Sequence, residues 1–233
     1  MNALALCALL VLAAGPRVPA PASNEMARDK SSARRPDAGP RAPTPTFDGS
    51  QAPVPRALAA RMRRFSWRKG CPVSIEELAY LKLSHYGKDG EVHQGELVVH
   101  RSLAVEVLAI FKVLFEQRFP IEKMRLIEAY EGDDDRSMAD NNTSGFNCRE
   151  VTGKPGVLSK HSYGRAIDVN PLINPMVVGD KVSPPVGAGF TDRSKSVPGT
   201  LHQGGKAVRE FTRRGWTWGG SWTTMKDYQH FEK

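Results

Sequence analysis

The segment SKHSYGRAIDVNP, Ser159 to Pro171, places His161 and Asp168 on either side of Gly164. An imidazole and a carboxylate are both metal ligands. In an extended segment Ala166, Asp168 and Asn170 share one face while Ile167 and Val169 look into a core. Gly164 permits the tight turn that would fold His161 back beside Asp168. Taken alone, a pair at this spacing reads more simply as a surface histidine and a capping aspartate. The end of the chain adds DYQH, with Asp227 and His230. A zinc hydrolase requires three protein ligands, an open position for water and a carboxylate that takes the proton of that water. His161, Asp168 and His230 fit the ligand role and Asp227 the base. Glu232 is a rival base, but on a strand it shares the face of His230 and has no further reach.

The elements that must position these groups follow from patterning. Ser74 and Glu77 have capping-box spacing ahead of Leu78, Leu81 and Leu83, which predicts a helix to about Ser84. A strand is expected over Glu96 to His100. The apolar spacing of Val107, Leu108, Phe111, Leu114 and Phe115 predicts a helix from Leu103 to Gln117. Met124 to Tyr130 reads as a strand and Glu131 to Asn142 as a polar loop. Further strands are expected at Phe146 to Arg149, Ala166 to Val169 and Tyr228 to Glu232, with a helix at Lys206 to Arg213. Strands and helices without regular alternation indicate an α+β fold.

The apolar run Ala3 to Ala14, followed by small residues around Ala20 to Ala22, suits a secretory signal over residues 1–22 and is too short to span a bilayer. Export would leave two cysteines, Cys71 and Cys148, in a compartment where a disulfide persists; two unrelated buried thiols are the alternative. The formal net charge of the 233 residues is +8. Residues 23–69 hold eleven Lys/Arg against four Asp/Glu, so the basic character belongs to this Pro/Ala/Arg-rich stretch, and residues 70–233 are balanced. The stretch is expected to be a disordered linker, with the folded domain spanning 70–233. Such a cationic linker would suit electrostatic contact with an anionic matrix. Confinement of the charge to a linker of an exported chain argues against nucleic acid as a partner.

SKHSYGRAIDVNP resembles the S-x-H-x-x-G-x-A-x-D motif of the M15 zinc peptidases, which are D-alanyl-D-alanine carboxypeptidases and L-alanyl-D-glutamate endopeptidases. DYQH resembles their terminal D/E-x-x-H. NNTSGFNCR (Asn141 to Arg149) and WTWGGSW (Trp216 to Trp222) are similar to the extracellular carboxypeptidase-like branch. The resemblance implies a hedgehog/DD-peptidase-like fold, a small antiparallel sheet with flanking helices. It implies one Zn²⁺ on His161, Asp168 and His230, with Asp227 as general base. It also implies an arginine near the metal, for which Arg149 is favoured over Arg136. Ser159 is a candidate substrate contact or a turn cap, and Trp218, among Trp216, Trp218 and Trp222, a candidate cleft wall. The expectation is a secreted, cell-wall-associated, monomeric D-Ala-D-Ala carboxypeptidase acting on peptidoglycan peptides. An L-Ala-D-Glu-type endopeptidase and a non-catalytic zinc-bearing binding module are the alternatives.

Overall fold

A computed structural model of the protein describes residues 44–233, so the expected signal segment and the linker as far as residue 43 lie outside the described residues. The strands are β1 (Gly49–Pro53), β2 (Leu78–Tyr86), β3 (Val92–His100), β4 (Glu150–Val151), β5 (Lys154–Leu158), β6 (Ala166–Asp168), β7 (Met176–Val178), β8 (Lys181–Ser183), β9 (Thr217–Trp218), β10 (Lys226–Asp227) and β11 (His230–Glu232). The helices are α1 (Arg56–Phe65), α2 (Ala104–Glu116), α3 (Asp134–Ala139) and α4 (Lys206–Thr212). Helices beside small antiparallel sheets make the α+β class that the pattern indicated.

Three sheets frame the molecule, in strand orders β1-β2-β3, β6-β11-β9 and β10-β7-β8, and β4 and β5 form a hairpin. The first sheet is covered on both faces. Ala79, Leu81 and Leu83 pack with Val107, Phe111 and Leu114 of α2 in the main core, which Ile167, Val169 and Phe231 also enter. Leu78 and Val98 point the other way, toward Leu58, Ala59 and Met62 of α1. Leu78 to Tyr86 is therefore a strand rather than the expected helix. Leu81 and Leu83 recur with period two, and the capping box serves only one short turn, Ile75–Glu77, in which the Ser74 N–H donates to Glu77 Oε2 at 2.8 Å.

Other expectations need correction for similar local reasons. Ile127–Tyr130 is a 3₁₀ turn within the expected strand, because Leu126, Ile127 and Tyr130 are buried at helical spacing. Asp133 caps α3 inside the expected polar loop by accepting from the Arg136 N–H at 2.9 Å. Phe146 to Arg149 forms no named strand, although the Phe146 N–H donates to Val98 O at 2.8 Å.

The expected linker extends too far. β1 pairs antiparallel with β2 from Gly49 opposite Leu83 to Pro53 opposite Ala79, and α1 buries Leu58, Ala59 and Met62. Its Pro and Arg content hid a folded segment: Pro55 precedes the first helical turn, where no N–H is required, and the arginines occupy the solvent side. Cys71 and Cys148, 77 residues apart, are joined with Cα atoms 6.0 Å apart, tying the end of this segment to the chain just before Arg149.

Met62 has no exposure at all. Met62→Ala should cost about 2–5 kcal/mol in denaturant unfolding. An unchanged midpoint would show that α1 is not part of the cooperative unit.

Candidate metal centre

Gly164 turns the chain in the left-handed region, with φ 64°. A Cβ there would lie 2.5 Å from the backbone nitrogen of His100, so the position admits only glycine without movement. Lys160–Tyr163 forms a 3₁₀ turn before it and β6 follows, which brings His161 back beside Asp168. The pairing of β6 with β11 sets His230 directly opposite Asp168. The three ligand atoms all lie within 4.8 Å of one another, and the three side chains are buried.

Outer partners settle which atoms face inward. His161 Nδ1 is 2.6 Å from the Gly145 carbonyl, which can only accept, so this nitrogen carries the hydrogen and Nε2 presents a lone pair. His230 Nε2 is 3.2 Å from Glu232 Oε2, which leaves Nδ1 facing inward. Asp168 Oδ2 lies 3.1 Å from His161 Nε2, and Oδ1 lies 2.9 Å from His230 Nδ1. The two inward nitrogens and the Asp168 oxygens thus converge, and they can present lone pairs to a cation once His230 Nδ1 gives up the proton it shares with Asp168. Two imidazoles, each held by an outer partner, and one carboxylate are a donor set that suits Zn²⁺.

The electrostatics agree. Burial opposes charging His230, yet the hydrogen bonds it donates to Asp168 and Glu232 push it up to about 10. Burial also acts against an ionised Asp168, but the His161 charge and the bonds from both histidines hold it well below the usual carboxylate range. The cluster strongly favours positive charge. Asp227, on β10, is pushed up to about 6, chiefly by burial, with the charges of His230, Asp168 and His161 all within reach. Its Oδ1 is buried without a hydrogen-bond partner. Gly219 permits this packing, since a Cβ there would be 2.6 Å from the Asp227 carbonyl oxygen. Glu232 bonds the outer nitrogen of His230, a place from which it orients that ring. Asp227 is the carboxylate beside the cluster that keeps an unpartnered oxygen.

Arg149 Nη2 pairs with Asp134 Oδ2 at 2.7 Å, and its Nε is buried without a partner. Its backbone is tied to the ligand motif: the N–H donates to Ser162 Oγ at 2.9 Å, and the carbonyl accepts from the same hydroxyl at 2.7 Å. Burial raises the Asp134 carboxyl, the Arg149 charge opposes this, and Asp168 and His161 also act on it, so the pair lies within electrostatic reach of the ligands. Arg136 is exposed and lies 3.8 Å from Glu131, so of the two candidate arginines Arg149 is the one tied to the segment of the cluster.

Two candidate contacts are corrected. Ser159 is buried, and its hydroxyl accepts from the His161 N–H at 3.3 Å, which makes it the turn cap. Trp218 belongs to the core, with Nε1 donating to the Tyr228 carbonyl at 2.8 Å. The tryptophan beside the cluster is Trp222, half-buried, with its ring 5.6 Å from that of His230. Asp134 escaped the sequence reading because a run of three aspartates looks like a solvated loop; Trp222 was seen only as one of three equivalent tryptophans.

Residues 152–233 match the family model of M15 peptidases described as D-alanyl-D-alanine carboxypeptidase. The matched segment holds His161, Asp168, Asp227 and His230, and it supports an M15 family peptidase. No curated protein and no solved structure matches the chain.

Glu232→Gln keeps the shape but weakens the hold on His230. Zn²⁺ affinity, measured by competition with a chromophoric chelator, should fall about 10- to 100-fold. Unaltered affinity would deny Glu232 this orienting role.

Proposed function

We propose that this chain, with the M15 match as the premise, is a secreted zinc-dependent peptidase that hydrolyses D-amino-acid-containing stem peptides of peptidoglycan. Release of a terminal D-alanine is the first reading and cleavage within the stem the second. One observation carries the proposal: a buried His/Asp/His cluster of inward-facing acceptors beside a buried carboxylate, Asp227, with one oxygen unpartnered. The same reading takes β6-β11-β9 as the small sheet of a hedgehog/DD-peptidase-like fold. Export rests on the signal-like residues 1–22 and accords with the Cys71–Cys148 bridge.

Zn²⁺ held by His161 Nε2, Asp168 and His230 Nδ1 would supply Lewis acidity to a water and to the scissile carbonyl. Asp227 accepts the proton of the attacking water at Oδ1 and returns it to the leaving amine. Arg149 holds the carbonyl oxygen or the substrate carboxylate. Asp134 fixes the guanidinium from behind, so that its remaining donors keep one direction. Trp222 shields the His230 side of the site from bulk water. A zinc-bearing module without turnover has no use for the unpaired oxygen of Asp227.

Mass spectrometry of muropeptides before and after incubation tests the reaction: loss of one alanine denotes a carboxypeptidase and two peptide fragments an endopeptidase. Asp227→Ala should retain Zn²⁺ while turnover falls about 10²-fold or more. Full turnover by this variant would remove Asp227 from the base role.

Asp134→Asn leaves the ligand cluster untouched and frees Arg149. The expected result is normal Zn²⁺ content and normal melting behaviour, with kcat/KM lowered and partly restored by Asp134→Glu. If Asp134→Asn alters melting temperature but not kcat/KM, the pair is structural only.

A further inference from the structure

The solvent side of α1 has an unusual composition. Taking about 100° per residue, Leu58, Ala59 and Met62 fall on the buried side of the helix. Arg56, Arg61, Arg63 and Arg64 spread over the opposite side, all exposed, with only Ala57 and Ala60 between them. No acidic residue occurs within α1. None of the four arginines takes part in an ion pair among the described residues, where carboxylates elsewhere are paired routinely. The carboxylate whose ionisation Arg61 influences, Glu128, is buried and accepts the Ser66 hydroxyl. Arg68 and Lys69, also exposed, extend the basic surface past the end of the helix. Arg61 and Arg64 are three apart, a spacing at which like charges repel and cost helix stability.

This surface is also rigidly mounted. Below it lie Leu126, Phe146 and Cys148. Arg68 Nη1 donates to the Cys148 carbonyl at 2.9 Å, and Cys148 is bridged to Cys71. Arg149 is the next residue. Whatever the arginines hold is therefore held in a constant relation to the segment that carries the site's guanidinium.

We propose that the exposed arginine face of α1 is a docking surface for a linear polyanion of phosphodiester-linked polyols, bound along the helix as an anchor for the enzyme. Guanidinium groups match phosphate oxygens by paired N–H donors, and short alanines let neighbouring forks reach one extended strand of charge. The face has no large apolar side chain to insert between lipids: the exposed large hydrophobic residues of the described chain, such as Val105 and Val186, all lie elsewhere. This argues against a bilayer as the occupant. The choice of polyol phosphate over other polyanions rests on the cell-wall reading of the preceding section; the anionic character of the partner rests on α1 alone.

The test uses the full chain, with poly(glycerol phosphate) as the probe and a neutral dextran as the blank. The variant replaces Arg56, Arg61, Arg63 and Arg64 with Gln, changing exposed side chains outside the proposed catalytic groups. Wild type should bind the probe with an affinity that falls steeply with salt. The variant should bind at least about tenfold more weakly at low salt, with a salt slope shallower by roughly 2 to 3. Its melting temperature and its rate on a small soluble peptide should be unchanged. Equal binding by variant and wild type would overturn the proposal and transfer any wall contact to other parts of the chain. Tighter binding of duplex DNA, or of vesicles rich in anionic lipid, at equal phosphate concentration would overturn the choice of polymer. Failure of the peptidase reading shows up separately, as absence of peptide hydrolysis in both proteins, and leaves the comparison of binding intact.

Discussion

Antiparallel register between β6 and β11 is the constraint on which the site depends. Asp168 and His230 are 62 positions apart, yet they stand directly opposite and within 2.9 Å because Phe231 pairs with Ile167 and Glu232 with Ala166. Side chains alternate along a strand, so a slip of one residue would turn Asp168 and His230 to opposite faces and drive Ile167 or Phe231 out of the core. The core forbids that slip. Ile167 and Phe231 are fully buried, and the Phe231 ring stacks on Phe211 with centroids 3.9 Å apart. On its other side β6 is fixed by Ser144, which exchanges two backbone hydrogen bonds with Asp168 at 3.0 Å each. Hydrophobic burial thus sets the geometry of three polar groups that would otherwise be hydrated apart.

The same register brings a charge problem. Asp168, Asp227 and Asp134 are all largely withdrawn from water, and burial raises the cost of each ionised carboxylate. Two kinds of answer are visible. Asp134 is paired with a guanidinium, and Asp168 sits between two imidazoles. Asp227 has neither on its free oxygen, and its carboxyl is the one pushed up to about 6. A group whose ionisation is poorly compensated gains most from accepting a proton, which is what general-base chemistry asks of it.

Much of this was legible from residues alone. His161, Asp168, Asp227 and His230 carry a spacing and an order that few constraints besides metal chemistry produce, and the long apolar period of α2 leaves little choice of structure. What stayed hidden depended on tertiary context. Leu78, Leu81 and Leu83 fit a helix or a strand until Val98 and Val99 of β3 are known to pair beside them. Trp218 and Trp222 are chemically equivalent in a sequence; only the folded chain shows that Trp218 goes inward, where its Nε1 finds the Tyr228 carbonyl. Composition misled most at α1, where arginine and proline suggest an unfolded tether. Three apolar side chains, Leu58, Ala59 and Met62, suffice to dock the helix because the outer face of β2 and β3 would otherwise be bare.

The segment that carries the ligand motif is not self-sufficient. Residues 152–233 hold the three ligands and Asp227, but the Gly145 carbonyl that sets the His161 tautomer, the Ser144 backbone that brackets β6 and the Asp134–Arg149 pair all precede it. Ile167, Val169 and Phe231 find their packing partners in Leu81, Val99 and Phe111 of the earlier half. The disulfide joins Cys71, in the segment that follows α1, to the residue before Arg149, so the chain leaving the first helix is tied to the site. A change in residues 44–151 can therefore alter the geometry of the cluster in residues 152–233 without touching His161, Asp168 or His230. In this chain the earlier half supplies the carbonyl that holds the His161 ring and the backbone that brackets Asp168, while Glu232 of the matched segment holds His230, so the cluster is assembled from both parts of the sequence.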